Sequence, residues 1–132
     1  MTRTLVAYLA TALVLVALDM LWLRVIAPDW YQQGIGHLMS GQINLVAGAL
    51  FYLLFPVGLM IFAVMPNLAN TWVNAALMGA LFGCFAYGTY DLTSLAILKN
   101  WPVGLSVIDI AWGSFVSAAA ASAGRLAAGA LS

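Results

Sequence analysis

Apolar residues run through this chain in four long blocks, and polar residues gather mainly in the gaps between them. The blocks fall at about 5–23, 43–65, 72–98 and 103–123. Each comes close to or exceeds the ~20 apolar residues that a membrane-crossing helix needs. Barrel strands would instead alternate apolar and polar positions in segments of about ten. These blocks are apolar on every side, so helices are predicted. The pattern gives an all-α polytopic membrane protein, a bundle of four transmembrane helices forming one domain over residues 1–132.

The gaps have their own chemistry. Residues 28–42 read PDWYQQGIGHLMSGQ, broken by Gly34, Gly36 and Gly41 and made amphipathic by Trp30, Tyr31 and Leu38. This segment is expected to be an interfacial loop or short surface helix with its aromatics at headgroup level. Met65-Pro66-Asn67 reads as a tight turn, and Lys99-Asn100-Trp101-Pro102 as another, with Pro102 suited to the start of the next helix. Pro56 lies inside the second block and should kink it. The first block lacks a small-x-small cleavage site and runs on to Asp19, Trp22 and Arg24, so it reads as a retained helix rather than a signal peptide.

Composition narrows the function classes. Of 132 residues, 65% are hydrophobic and 6% charged, against about 25% charged in an average soluble domain. A soluble or disordered protein is excluded. Nucleic-acid binding is excluded as well, because four scattered Lys and Arg residues form no basic footprint. The expected surroundings are a lipid bilayer. Four spans put both termini on one face, with Arg3 and Arg125 there and Arg24 and Lys99 on the other, so basic residues do not decide orientation. The free amino terminus, and the lack of an anionic residue near either end, tip the termini towards the cytoplasm. Cys84 is the only cysteine and reads as a small buried thiol.

Three carboxylates stand inside the blocks: Asp19, Asp91 and Asp109. A charged Asp at mid-helix costs on the order of 2.5–3.5 kcal/mol. Counting along helices that alternate in direction puts all three about 7–11 Å below one face, the face opposite the termini. Gln42, Asn44 and Tyr52 reach that layer from the second block. Tyr87 shares a helix face with Asp91, and Ser94 follows one turn on. Trp22 is three residues after Asp19 and Trp112 three after Asp109, so each indole is expected beside the carboxylate of its own helix. Desolvation and mutual repulsion both favour the protonated form of crowded carboxylates. Asp19, Asp91, Asp109, Tyr87, Trp22, Trp112 and Asn44 are therefore the candidate ligand- or proton-binding residues.

The bland reading of such a cluster is a hydrogen-bonded network that fixes helix packing, for under about 2 kcal/mol per contact. Three carboxylates at one depth exceed that need. The functional reading is a polar site for a small molecule or ion, with proton-linked transport as one use of it. The competing classes are a membrane enzyme acting on a lipid or isoprenoid, and a structural or accessory subunit. Motifs for zinc proteases, phosphate loops and nucleophile elbows are absent. No metal is assigned; one bound by the Asp cluster would be a hard, oxygen-preferring cation. Asp29 reads as a turn or cap residue and His37 as a solvated loop histidine. Ala76, Gly79 and Gly83, with Gly113, Ser117, Ala121 and Gly124, form small-residue rows suited to close helix packing and compatible with a homodimer.

The run Tyr87-Gly88-Thr89-Tyr90-Asp91-Leu92-Thr93, followed by Leu95, Ala96, Lys99, Trp101 and Pro102, resembles a bacterial family of small predicted membrane proteins known only as a domain of unknown function. Asp109-Ile110-Ala111-Trp112-Gly113 continues the resemblance, as do Asp19, Trp22, Leu23, Pro28 and Tyr31. It spans nearly the whole chain. Ser94 and Ile97 depart from it, where family members often have Asn and Thr. The resemblance implies a four-helix protein of the bacterial inner membrane and supplies no activity.

Overall fold

The computed structural model describes residues 2–39, 42 and 44–131. Among these residues the chain is helical, with no strand. Helix α1 covers Thr2–Leu21 and runs on through a wider π turn, Trp22–Ile26. Helix α2, Pro28–Ile35, fills the first gap and ends in a short 3-10 turn, Gly36–Leu38. Helix α3, Leu45–Leu59, passes into a second π turn, Met60–Val64. Helices α4, Trp72–Ile97, and α5, Val103–Ala130, complete the fold.

Local chemistry explains the boundaries. Pro28 opens α2, where its missing N–H would have had no partner anyway. The Asn44 side chain accepts the Ala47 N–H at 3.1 Å and caps α3. Asn100 takes a left-handed φ of 61°, which asparagine tolerates, and so reverses the chain between α4 and α5. Pro56 stays within α3 and cannot donate to the Tyr52 carbonyl. One turn later the Met60 N–H is shared between the Pro56 and Val57 carbonyls, and the helix loosens into its π turn.

The elements run longer than the blocks at both ends of the chain. The first block continues to Ile26, and the last reaches Ala130 because its alanines prolong the helix. The expected start of the second block, Ile43, lies outside the described residues, as does Gly41 of the preceding segment. By length and composition, three helical stretches among the described residues can cross a membrane: Thr2–Ile26, Leu45–Asn67 and Val103–Ala130. Four were expected. Helix α4 is 26 residues long, but its Asn, Gly, Thr and Tyr residues and Asp91 dilute its apolar character.

Helix α5 is the centre of the bundle, with α4 on one side and α1 on the other. Its most apolar stretch is 44% buried, against 22% for that of Thr2–Ile26 and 17% for that of Leu45–Asn67, so the outer helices turn most of their leucines away from the protein. The close approach of α4 follows from its small residues. A Cβ on Gly79 would stand 2.7 Å from the Ser117 carbonyl oxygen, and one on Gly83 would collide with the Gly113 carbonyl and Ser117. Gly113 in turn leaves room for the Tyr87 ring. On the other side, Gly124 admits the Thr11 side chain from α1. Near the termini, Arg3 donates to the Ala128 carbonyl at 3.0 Å. Arg125 donates to the carbonyls of Asn67 and Asn70. These bonds pin the ends of α1 and α5 and the turn before α4.

Gly83→Ala should therefore lower stability by about 1–3 kcal/mol through overpacking. Gly48→Ala, whose Cβ would meet nothing within 4 Å, should be neutral or stabilising. Thermal unfolding of both variants in mild detergent checks this; equal midpoints would contradict the packing account.

Candidate functional site

The three candidate carboxylates come together in the buried interior between α1, α4 and α5. Asp19 is 6% exposed, Asp91 2% and Asp109 6%. Among the described residues none of them has a basic partner. Their partners are tyrosines, tryptophans and each other.

Asp19 is fully engaged. Its Oδ1 accepts the Trp112 Nε1–H at 3.0 Å, and its Oδ2 accepts the Tyr52 hydroxyl. Asp109 accepts the Tyr31 hydroxyl at 2.6 Å, and the Tyr31 oxygen accepts the Trp22 Nε1–H at 3.1 Å. The indole pairing is thus crossed relative to the sequence reading. Trp112 serves Asp19 on the opposite helix, and Trp22 reaches Asp109 only through Tyr31. The reason is geometric. Helices α1 and α5 are antiparallel with their carboxylates at one level, so each indole lies across the gap, and the two rings stack at 4.4 Å and 7°. The π turn at Trp22–Ile26 rotates the end of α1 and leaves Trp22 buried.

Asp91 and Asp109 lie close enough across the α4–α5 contact to interact. A hydrogen bond between two carboxyl groups needs one proton between them. The Asp91 Oδ2 atom is buried without a partner. A second orphan, the Trp101 Nε1–H, is buried in the α4–α5 turn, where the ring packs edge-on against Tyr90 at 5.6 Å. The carboxylates therefore divide into a satisfied Asp19 and a pair, Asp91 and Asp109, with unused hydrogen-bonding capacity. Among the described residues no group of His, Cys, Asp or Glu is arranged to hold a metal ion.

Asp109 also forms part of a cavity of about 330 Å³, walled by Phe51 and Phe55 of α3 and by Ala86, Tyr87 and Tyr90 of α4. The cavity exists because α3 and α4 approach closely only lower down, where a Cβ on Gly58 would strike the Phe82 ring. Phe51 and Tyr90 are exposed at its outer side, which opens between the two helices. Tyr87 lines this cavity, as a candidate should, with its ring edge-on to Phe55 at 5.9 Å. Asn44 stands apart, exposed, as the cap of α3. His37 and Asp29 are exposed on the first-gap segment.

Two contributors are missing from the sequence-based candidates. Tyr52 is placed by sequence only in the polar layer, yet it bonds Asp19 from α3. Tyr31 reads from sequence as a headgroup aromatic; α2 instead folds back so that its hydroxyl reaches Asp109. Burial first, and then the bond to Asp109, raise the Tyr31 phenol above its ordinary value, so the hydroxyl keeps its proton. The only sequence signal for either residue is a polar tip on an aromatic body near buried acids.

A family model described as "Predicted membrane protein (DUF2177)" matches residues 4–126, in agreement with the resemblance carried by the motifs around Asp91 and Asp109. No curated protein and no solved structure matches the chain.

Trp112→Phe should cost about 1–2 kcal/mol by removing one of the two donors to Asp19. In combination with Asp19→Asn the losses should be clearly less than additive. Unfolding midpoints of the single and double variants measure this, and full additivity would mean that the two side chains act independently.

Proposed function

From its place in that family of predicted membrane proteins, to which the chain belongs, we propose that it binds a small, mostly apolar cation, such as a protonated amine, and exchanges a proton for it. The observation that carries this reading is the cavity with four aromatic walls and a single carboxylate, Asp109. Aromatic faces attract cations, more strongly when water is excluded. A carboxylate in the same wall supplies the opposite charge and a hydrogen-bond acceptor. Behind it, Asp91 holds an unpartnered oxygen and can take up or release the proton that the pair shares.

In this reading the molecule sits in a bacterial inner membrane with all four long helices crossing it. Both termini lie on the cytoplasmic face, and the carboxylates lie towards the other. The ligand enters sideways from the acyl chains, between α3 and α4, where Phe51 and Tyr90 are exposed. Cation binding displaces the shared proton, which links occupancy to pH and suits the site to proton-coupled transport. The apolar walls also support a second reading, an enzyme acting on a lipid or isoprenoid, which would leave an altered lipid profile in a deletion strain.

Binding of phenethylamine to the protein in lipid nanodiscs tests the proposal. Wild type should bind it with release of a proton into unbuffered medium. Asp109→Asn should weaken binding by about tenfold or more, or roughly 1.4 kcal/mol. Asp91→Asn should retain binding and lose the proton release. Equal binding by wild type and Asp109→Asn would overturn the assignment.

A further inference from the structure

A second cavity, of about 380 Å³, lies between the end of α1 and α2, lined by Met20, Leu23, Arg24, Tyr31, Gln32 and Met39 among others. It differs in character from the first. It lies beside the interfacial helix, and it presents a guanidinium and an amide rather than phenylalanines. One side chain joins the two cavities. Tyr31 lines the second, and its hydroxyl donates to Asp109, which lines the first.

We infer that the α1–α2 cavity is the aqueous entrance by which protons reach the Asp109–Asp91 pair, with the Tyr31 hydroxyl as the last relay. This deepens the proton exchange proposed above and rests on it. Asp19 is capped by Tyr52 and Trp112 and Asp91 is 2% exposed, and in the membrane placement proposed above the first cavity, with its phenylalanines, faces the acyl chains. The Tyr31 hydroxyl has the geometry a relay needs. It gives its hydrogen to Asp109, and one lone pair of its oxygen is held by the Trp22 N–H, which fixes the direction of that hydrogen. In this inference the second lone pair accepts a hydrogen from water in the cavity. In one step the Tyr31 O–H bond breaks as its proton passes to Asp109 Oδ1, and a new O–H bond forms with a proton from a hydronium ion. The hydronium ion is left as water, the new Tyr31 hydrogen turns from the cavity side back to Asp109 once the pair has passed its proton on, and the net event is one proton moved from the interface to the pair. The titratable groups that interact with Asp109 are Tyr31 from α2 and Asp91, Tyr87 and Tyr90 from α4, while Asp19 from α1 and Tyr52 from α3 are bonded to each other and Arg24 lines the entrance.

The test is time-resolved infrared spectroscopy of the full chain in nanodiscs after a pH jump, reading the C=O stretch of protonated carboxyl groups. Asp109→Asn should remove the responding band and so identify it. Tyr31→Phe keeps the ring and loses the hydroxyl. It should slow the rise of that band by at least about tenfold, whatever its final amplitude. A purely structural role would change the amplitude or the stability and leave the rate alone, and an unchanged rate overturns the relay. A second measurement leaves Tyr31 intact: in a Cys84→Ala background, Leu23→Cys labelled with a bulky thiol reagent should plug the cavity and slow the same band. Labelling without effect overturns the entrance. A band that persists in Asp109→Asn, or no band at all, would remove the underlying proton exchange as well, whereas a normal band with unaltered kinetics in both variants removes only the route.

Discussion

A polar group taken into the dry interior of this bundle must find its hydrogen bond within the protein, since neither acyl chains nor leucines can supply one. That constraint orders nearly everything around the carboxylates. Asp19 draws Trp112 from α5 and Tyr52 from α3. Asp109 draws Tyr31, and through it Trp22 and the whole of α2, inward from the surface. Among the described carboxylates Asp91 is the one with a buried, unpartnered oxygen, and it lies next to Asp109, with which it can share a proton. The helices are thus held in register by donors belonging to aromatic side chains, each of which also brings apolar area to the core.

The small-residue rows make this possible. Because Gly79, Gly83 and Gly113 remove the Cβ atoms that would hold α4 and α5 apart, Asp91 and Asp109 meet rather than pass at a distance. Gly113 also accepts the Tyr87 ring, which would otherwise be pushed out of the cavity wall. Packing and chemistry are here the same fact. The glycines that bring two backbones together also bring two acids together, where neither has a counter-ion.

Much of this was legible in the sequence, because the relevant signals are one-dimensional. The apolar blocks mark the helices, and counting along alternating helices brings Asp19, Asp91 and Asp109 to one depth. What could not be read concerns direction around and between helices. The spacing of Asp19 to Trp22 and of Asp109 to Trp112 suggests partners on one helix, yet the antiparallel stack of the two indoles crosses them. The π turn that rotates the end of α1 has no clear sequence mark. Tyr31 sits in a Gly-rich, interfacial segment whose composition suits a surface position, and only the fold shows that the helix leans over the site. Asn44 has the polarity expected of a site residue, but that polarity is used on its own helix end.

Pro56 gives the architecture a mechanical side. The stretch of α3 before it, Leu45 to Leu54, is exposed on most of its faces and touches the rest of the bundle sparingly. Two tyrosine hydroxyls hold it: Tyr52 on Asp19, and Tyr8 of α1 on the Leu53 carbonyl at 2.9 Å. At the proline and below it, the helix is anchored by Phe55, Pro56, Leu59 and Val64 in the core. The upper segment is therefore a lever on a fixed pivot, fastened by two latches rather than by an interdigitated seam. The wall of the aromatic cavity is divided by that pivot: Phe55 belongs to the anchored part and Phe51 to the lever, so the outer half of the wall hangs on the Tyr52 and Tyr8 latches rather than on the packing of two helices.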